Sequence, residues 1–351
     1  MAYTTIDNPE LYFQTKLYTG NGSSRSITFD GDEDMQPDWC WFKARSQAYN
    51  HALFDSVRGT TKLIRSNQTT AEETHSTTLT AFNSNGFSLG GGDAFTNANS
   101  VTYASWNWKA GGSASSNSNG SITSSVSVST DAGFSIVSYT GNGTQGATIG
   151  HGLGIKPSWI LVKRRDNTSD WLNYHSSLGA TKSIFLNATH ASGTYNYWNS
   201  TEPTSSVFEI FSSTSAAINA SGGTYIAYCF AEKKGYSKFG SYTGNGNADG
   251  IFVYTGFKPA WVMVKKSSGT NAWLIVDNKR DTFNATDGQL FANTSGAEDT
   301  SSTNNNFDYL SNGFKTRNTG DAYNGSSATY IYMAFAESPF VNSNGVPTNA
   351  R

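Results

Sequence analysis

The chain has 351 residues, with Lys+Arg 24 against Asp+Glu 26 and a formal charge of -2, too little for a long-range field that would gather nucleic acid or an anionic membrane. At about 150 residues per domain, this length excludes a single small fold. Charged residues make up 14% and aromatic residues another 14%, and the 35 glycines stand among abundant Ser, Thr and Asn, a mixture that favours strands and turns over disorder or helices.

The opening MAYTTIDNPELYFQ lacks the basic-then-apolar order of a secretion signal, and no run of about 18 apolar residues follows. A soluble chain without Sec export or membrane insertion is expected. From Tyr18 the sequence reads YTGNG, followed by the acidic run Asp30-Gly31-Asp32-Glu33-Asp34. That run offers calcium oxygens but lacks the length and terminal Glu of an EF-hand loop, so a solvated loop is expected. Pro37-Asp38-Trp39 then opens a strand, with Cys40 and Phe42 facing one way and the tryptophans the other. LFDSVRG at Leu53, Asn67, SNGF at Ser84 and TYASWNWKA from Thr102 complete a first unit. In its last segment Ala104, Trp106 and Trp108 alternate with Ser105 and Asn107, the period of a strand.

Residues 111–134 are rich in Gly, Ser and Asn and read as a linker, although ITSSVSVS within them alternates like a strand. The landmarks then return in order. YTGNG begins again at Tyr139 and Tyr242, Pro-x-Trp at Pro157 and Pro259, and the closing strand as TYIAYCFAE from Thr224 and TYIYMAFAE from Thr329. NYHSSLG at Asn173 and IVDNKRD at Ile275 fill the slot of LFDSVRG, and Asn187 and Asn293 that of Asn67. Three ordered landmarks recurring three times define an internal repeat. The division is a first unit over 1–110, the linker over 111–134, a second unit over 135–234 and a third over 235–351. The six-residue junction from Lys234 to Phe239 predicts a more fixed angle between units two and three than between one and two. Many short strands and no sustained 3.6-residue period give an all-β fold, three tandem antiparallel β-sandwiches of jelly-roll, concanavalin-like or immunoglobulin-like topology.

Recognisable catalytic spacing is missing. His51, His75, His151, His175 and His190 form no metal-binding pattern, and there is no GxSxG elbow, Walker loop or dinucleotide fingerprint. Cys40 and Cys229 suit small buried hydrophobes, and His151 a turn. Asp55 with Arg58 recurs as Asp277 with Arg280, while the second unit has His175 and Leu178 there. An ion pair steadying a turn is the plainer reading of this slot and contact with a ligand the sharper one. Glycans are held by aromatic faces with amides and carboxylates on the hydroxyls. Trp171, Trp273, Tyr195, Tyr197 and Trp198, with Asp55 and Asp277, are therefore the candidate ligand-binding residues, against the alternative that the tryptophans are core. Lys163-Arg164-Arg165 is an isolated basic cluster at a strand end, too short for a nucleic-acid groove.

Taken together, YTGNG, P-x-W followed by a Val-Lys pair (Val162-Lys163, Val264-Lys265) and TYIAYCFAE resemble a domain repeated in virion proteins of marine tailed bacteriophages, from about Tyr12 to Val341. The resemblance implies a non-enzymatic, surface-exposed structural protein without cofactor or metal, assembled in the host cytoplasm and located in the virion. It implies a tail- or fibre-associated role in host attachment, with capsid decoration or a free carbohydrate-binding module as alternatives. A depolymerase with a carboxylate pair hidden in a cleft is a further alternative. The partners implied are other virion proteins and host-surface glycans, with homo-oligomerisation, a trimer among the outcomes. The first unit departs in Trp41-Phe42-Lys43 and the second in lacking the Asp/Arg pair, so one ligand site common to all units is not expected.

Overall fold

A computed structural model describes residues 3–211, 217–300 and 307–349, and in these the chain is all-β, with a 3-10 turn over Pro9–Leu11 and no α-helix. The first unit comprises β1 (Phe13–Thr19), β2 (Arg25–Ile27), β3 (Trp39–Ala44), β4 (Ala52–Asp55), β5 (Gly59–Ile64), β6 (Glu73–Thr74), β7 (Leu79–Asn83), β8 (Gly86–Leu89) and β9 (Thr102–Trp108). Next come β10 (Ser115–Asn117), β11 (Ser124–Ser129), β12 (Phe134–Thr140), β13 (Ala147–Gly150), β14 (Trp159–Arg164), β15 (Trp171–His175), β16 (Lys182–Phe185), β17 (Gly193–Thr194), β18 (Val207–Ile210) and β19 (Thr224–Phe230). The third unit has β20 (Ser237–Thr243), β21 (Phe252–Tyr254), β22 (Phe257–Lys266), β23 (Trp273–Asp277), β24 (Leu290–Phe291), β25 (Phe307–Leu310), β26 (Gly313–Thr316) and β27 (Thr329–Pro339).

The same strand order appears three times. Each large antiparallel sheet contains β1-β9-β3-β4, β12-β19-β14-β15 or β20-β27-β22-β23, and each is backed by a small sheet, β2-β8-β7, β13-β18 or β21-β26-β25. The YTGNG tyrosine ends the first strand and stacks on the tyrosine of the closing strand in every unit, Tyr18 on Tyr103, Tyr139 on Tyr225 and Tyr242 on Tyr330, with ring centroids 5.0–5.3 Å apart.

Alternation divides the two faces of each large sheet as period two requires. Cys40, Phe42, Phe54 and Tyr103 pack with Phe87 of the small sheet in the first sandwich, and Ile160, Val162, Tyr174 and Tyr225 pack with Phe208 in the second. The opposite faces carry the tryptophans, and they are buried as well, against one another. Trp39, Trp41, Trp106 and Trp108 share one cluster with Trp159, Trp171, Tyr228 and Phe230 and with Trp261, Trp273 and Phe335. Trp39 stacks on Tyr228 at 4.4 Å, Trp159 lies 5.8 Å from Trp273, and Trp261 meets Trp108 edge-on at 5.6 Å. Every pair of units thus has an aromatic contact, and the three sheets close into a ring around a shared core.

Residues 111–134 correct the expectation of a linker. Asp38 accepts from the backbone N–H groups of Ala110 and Gly112, and from there β10 and β11 form a hairpin that extends the second large sheet through β12. The alternation of Ile122, Val126 and Val128 outweighs the flexible composition, because Ile122 and Val126 find apolar surface to bury. The chain's ends meet on the third unit. Tyr3 donates to the Gly256 carbonyl, and the Asp7 carboxylate accepts from both the backbone and the hydroxyl of Ser343.

Because Trp39 touches groups of two units, Trp39→Ala should destabilise the chain by about 3–5 kcal/mol in denaturant titration. The shared core also predicts one cooperative unfolding transition; three separable transitions would contradict it.

Candidate functional site: seams and outer aromatic clusters

The seams between units are built from equivalent residues used in rotation. At the start of β15 the indole of Trp171 donates to the Arg65 carbonyl of the first unit, 2.8 Å, and that of Trp273 donates to the Phe185 carbonyl of the second, 2.9 Å. His51 occupies the same slot in the first unit, and its Nε2 meets the Phe291 carbonyl of the third at 3.0 Å. The backbone N–H of each donates to its own anchor, the side-chain oxygen of Asn67, Asn187 or Asn293, which is why an asparagine recurs at that spacing. Each unit therefore reaches back to the preceding one, and the first reaches round to the third.

A buried charge network lies beside two of these contacts. Asp55 caps the turn after β4 by accepting from the Arg58 backbone and pairs with the Arg58 guanidinium, and the Tyr228 hydroxyl of the second unit donates to it at 2.7 Å. Glu72 bridges Arg58 at 3.2 Å and Arg165 of the second unit at 2.9 Å. Where the third unit meets the first, Asp277 pairs with Arg280 and accepts from the Trp106 indole at 3.0 Å, while Glu298 bridges Arg280 and Arg45, both at 2.7 Å. Burial opposes charge on Arg58, but Asp55, Tyr228 and Glu72 hold its pKa above the ordinary value. Glu72 stays below the usual carboxylate range because Arg165 and Arg58 outweigh its burial.

The seam between units two and three lacks all of these charges at once. His175 stands for the aspartate, Leu178 for the arginine, Ser192 for the glutamate, Ser267 for the cross-seam arginine and Met333 for the donor that is Trp106 or Tyr228 elsewhere. The His175 Nε2 meets the Tyr332 carbonyl at 3.4 Å, and Ser192 N donates to the Ser267 carbonyl at 3.0 Å, as Glu72 N does to Arg165 and Glu298 N to Arg45. The backbone clasp is kept and the ionic one removed as a set. Removing one partner alone would strand a buried charge.

Three lysines recur beside the seams. Lys43, Lys163 and Lys265 are buried at one slot, and carbonyls surround their ammonium groups: Ser169 at 2.6 Å and Thr69 at 2.9 Å for Lys163, Lys266 at 2.6 Å for Lys265. Burial lowers their pKa to about 8, about 8 and about 7. The basic cluster at 163–165 is thus structural, with Lys163 caged, Arg164 paired to Asp166 and Arg165 in the seam.

These seams overturn most of the expected ligand-contacting residues. Trp171, Trp273, Trp198, Asp55 and Asp277 are buried. The face of β15 and β23 that reads as outward beside polar loops is covered by a neighbouring unit, and Trp198 lies in the second sandwich with its indole on Ser183. The aspartates hold turns and seams. Tyr195 remains at the surface, 37% exposed, stacked on half-buried Tyr197 at 5.5 Å.

A second outer cluster escapes the sequence reading. Phe252 and Tyr254 alternate outward on β21, 43% and 53% exposed, where the other units have Ser26 and Thr28 or Thr148 and Gly150. The Tyr254 hydroxyl bonds that of Tyr3 at 3.0 Å, and Tyr3 lies edge-on to Phe340. Period two in FVY was the available signal.

His151 is buried in its turn, with the Leu153 N–H on its Nδ1. Both cysteines are buried and unlinked, and burial raises their thiol pKa values. Asp30 of the acidic run pairs with Lys16, and among the described residues no group of three or more His, Cys, Asp or Glu could hold a metal ion. A cavity of about 120 Å³ between the first and third units is lined by Glu10, Gln14, Asp30, Asn278 and Glu337. Its carboxylates are engaged, Glu10 by the Asp32 N–H, Asp30 by Lys16 and Glu337 by Lys258.

Fold and seams define an all-β protein of three sandwiches fused head to tail. Residues 8–339 match the family described as a domain of unknown function, DUF7483, and the chain belongs to it. Comparison with curated proteins and with solved structures gave no match.

Two predictions follow from the seams. Asp277→Ala leaves Arg280 buried with half its partners and should destabilise the protein by about 3–5 kcal/mol in urea, whereas the loss should be far smaller when Arg280→Leu accompanies it. The second concerns pH. His51, His175 and His151 have pKa values lowered by burial to about 3, about 4 and about 4, so below about 6.5 the unfolded chain binds more protons. Their stability contribution is complete above pH 6.5 and is lost as pH falls through about 4 and, for His51, towards 3. Between about 7 and 10.4 the lysines give the same sign, so stability rises further. The two buried cysteines, their thiol pKa values raised, oppose this from about pH 8.5, and buried tyrosines, Tyr103 and Tyr330 among them at about 12, reverse it as pH approaches 10. Melting temperature should therefore peak on the alkaline side of neutrality, near pH 9–10; a maximum below pH 7 would contradict the burial of these groups.

Proposed function

We propose that this chain is a non-enzymatic, surface-exposed structural protein of a tailed bacteriophage virion, a tail- or fibre-associated component whose outer loops engage host-surface glycans and neighbouring virion proteins. The observation that carries the reading is the partition of side chains. The buried ion pairs and all the fully buried tryptophans hold the sandwiches and their ring together, while the exterior is hydroxyl- and amide-rich with two aromatic clusters. Neutral sugars fit such a surface, since aromatic faces cover their apolar sides and amides meet their hydroxyls. Tyr195 with Tyr197, and Phe252 with Tyr254, replace the buried tryptophans as the glycan-contacting groups. The three-landmark resemblance adds the virion context and assembly in the host cytoplasm.

Capsid decoration and a free carbohydrate-binding module are the competing readings, and one experiment separates them. Antibody against the chain should label purified particles at the tail; labelling over the head would favour decoration, and absence from particles would reject a virion role. On glycans that bind, Tyr195→Ala and Tyr254→Ala should each lose about 2- to 10-fold in affinity, in keeping with about 0.5–1.5 kcal/mol for an aromatic contact.

A further inference from the structure

One side of each sandwich is bounded by the last strand of both its sheets, and the three units treat that side differently. In the second unit, Ser121–Ser129 lies across it. β11 pairs with β12, placing Val126 opposite Val137, and just before it Ile122 bridges Ile149 of β13, with Ile122 N on the Thr148 carbonyl at 3.0 Å. The Ser124 hydroxyl donates to the Gly150 carbonyl at 2.8 Å, and Ile122 and Val126 enter the sandwich core. One strand thereby joins the edges of both sheets.

In the third unit a side chain serves instead. Gly240 stands where the second unit has Val137, and Tyr332 lies so close that a Cβ on Gly240 would fall 2.7 Å from its hydroxyl. The first unit has neither device. Its equivalents are Lys16 and Ser105, and a groove of about 530 Å³ runs between β1 and β2, each the last strand of its sheet. The walls are Lys16–Thr19 and Arg25–Asp30, and they carry Lys16 and Arg25 against Asp30 alone, an excess of positive charge. Lys16 points into the opening and pairs there with Asp30, which protects a bare edge from indiscriminate pairing.

We propose that this open side of the first unit is a docking groove for an extended segment of a different protein, added as a strand in the way that residues 121–129 are added to the second unit. The molecule itself supplies the template for the occupant: Ser and Thr alternating with β-branched residues that fill the sandwich. Because Lys16 replaces Val137, the residue opposite it is an Asp or Glu, which takes over the role of Asp30. Strand addition of this kind draws affinity from main-chain hydrogen bonds and specificity from alternate side chains. The groove stands apart from the glycan-contact reading and does not depend on it.

The test uses the full chain and two capped, fluorescent nonapeptides, SITSSVSVS and SITSSDSVS, the second with Asp at the place of Val126. Saturable binding is expected, with the Asp peptide at least fivefold tighter. Lys16→Gly with Ser105→Tyr installs the closure of the third unit and should abolish binding at unchanged circular dichroism. Should that variant fail to fold, Lys16→Asp supplies the test, since it should turn the preference towards SITSSKSVS. No saturable binding, or binding that both variants leave unchanged, overturns the proposal. Self-association of the chain that the Lys16 variants remove would also overturn it, by assigning the groove to a second copy.

Discussion

Burial of both faces of each large sheet is the constraint on which the rest depends. A sandwich alone would cover one face with its small sheet and leave a row of tryptophans in water. Three such faces turned inward cover one another, and the aromatic area removed from solvent supplies the driving force that a chain with 14% charged residues lacks in ion pairing. Indoles buried this way also bring N–H groups inside. Those of Trp171, Trp273 and Trp106 reach across a seam to an acceptor, so the packing demand and the hydrogen-bond demand are met by the same contact.

The seams show how a repeated contact diverges without failing. Two retain a tyrosine or tryptophan donor, an aspartate, an arginine and a glutamate, and the third has lost every member of the set. Intermediate states with one member missing would hold a charge in a medium that penalises it, so the neutral seam is stable only as a complete exchange. His175 fits it because a neutral imidazole can accept from the Ser177 N–H on Nδ1 and still face the Tyr332 carbonyl with Nε2. The second unit's lack of the Asp/Arg pair is therefore one half of a pairwise change whose other half, Ser267 and Met333, sits in the third unit.

Much of the fold was legible in the sequence, because alternation states directly which residues share a face. Cys40 and Phe42, Ile160 and Val162 lie on the sandwich side, with the tryptophans opposite, as period two requires. What alternation does not say is what covers the second face. Trp171 and Trp273 follow polar loops and read as surface groups, yet those loops flank a seam, and no local pattern links His51 to Phe291 or Tyr228 to Asp55. The hairpin at 115–129 was obscured for another reason: it needs only two or three β-branched residues to close a sandwich, and serines between them gave the composition of a tether. The outer aromatic pair Phe252 and Tyr254 was hidden by its ordinary strand pattern, since exposure depends on which face of a three-stranded sheet is left bare.

The clasp between Asp7 and Ser343 has a mechanical consequence. Force applied at the two ends of the chain enters the ring at neighbouring points on the third unit, so it first peels this contact and the Tyr3 tether, and only then loads the junction where Arg45 and Glu298 meet. The other two junctions are bridged by the polypeptide itself and stay unloaded until that one has opened. Under tension the molecule gives way like a bracelet at its catch.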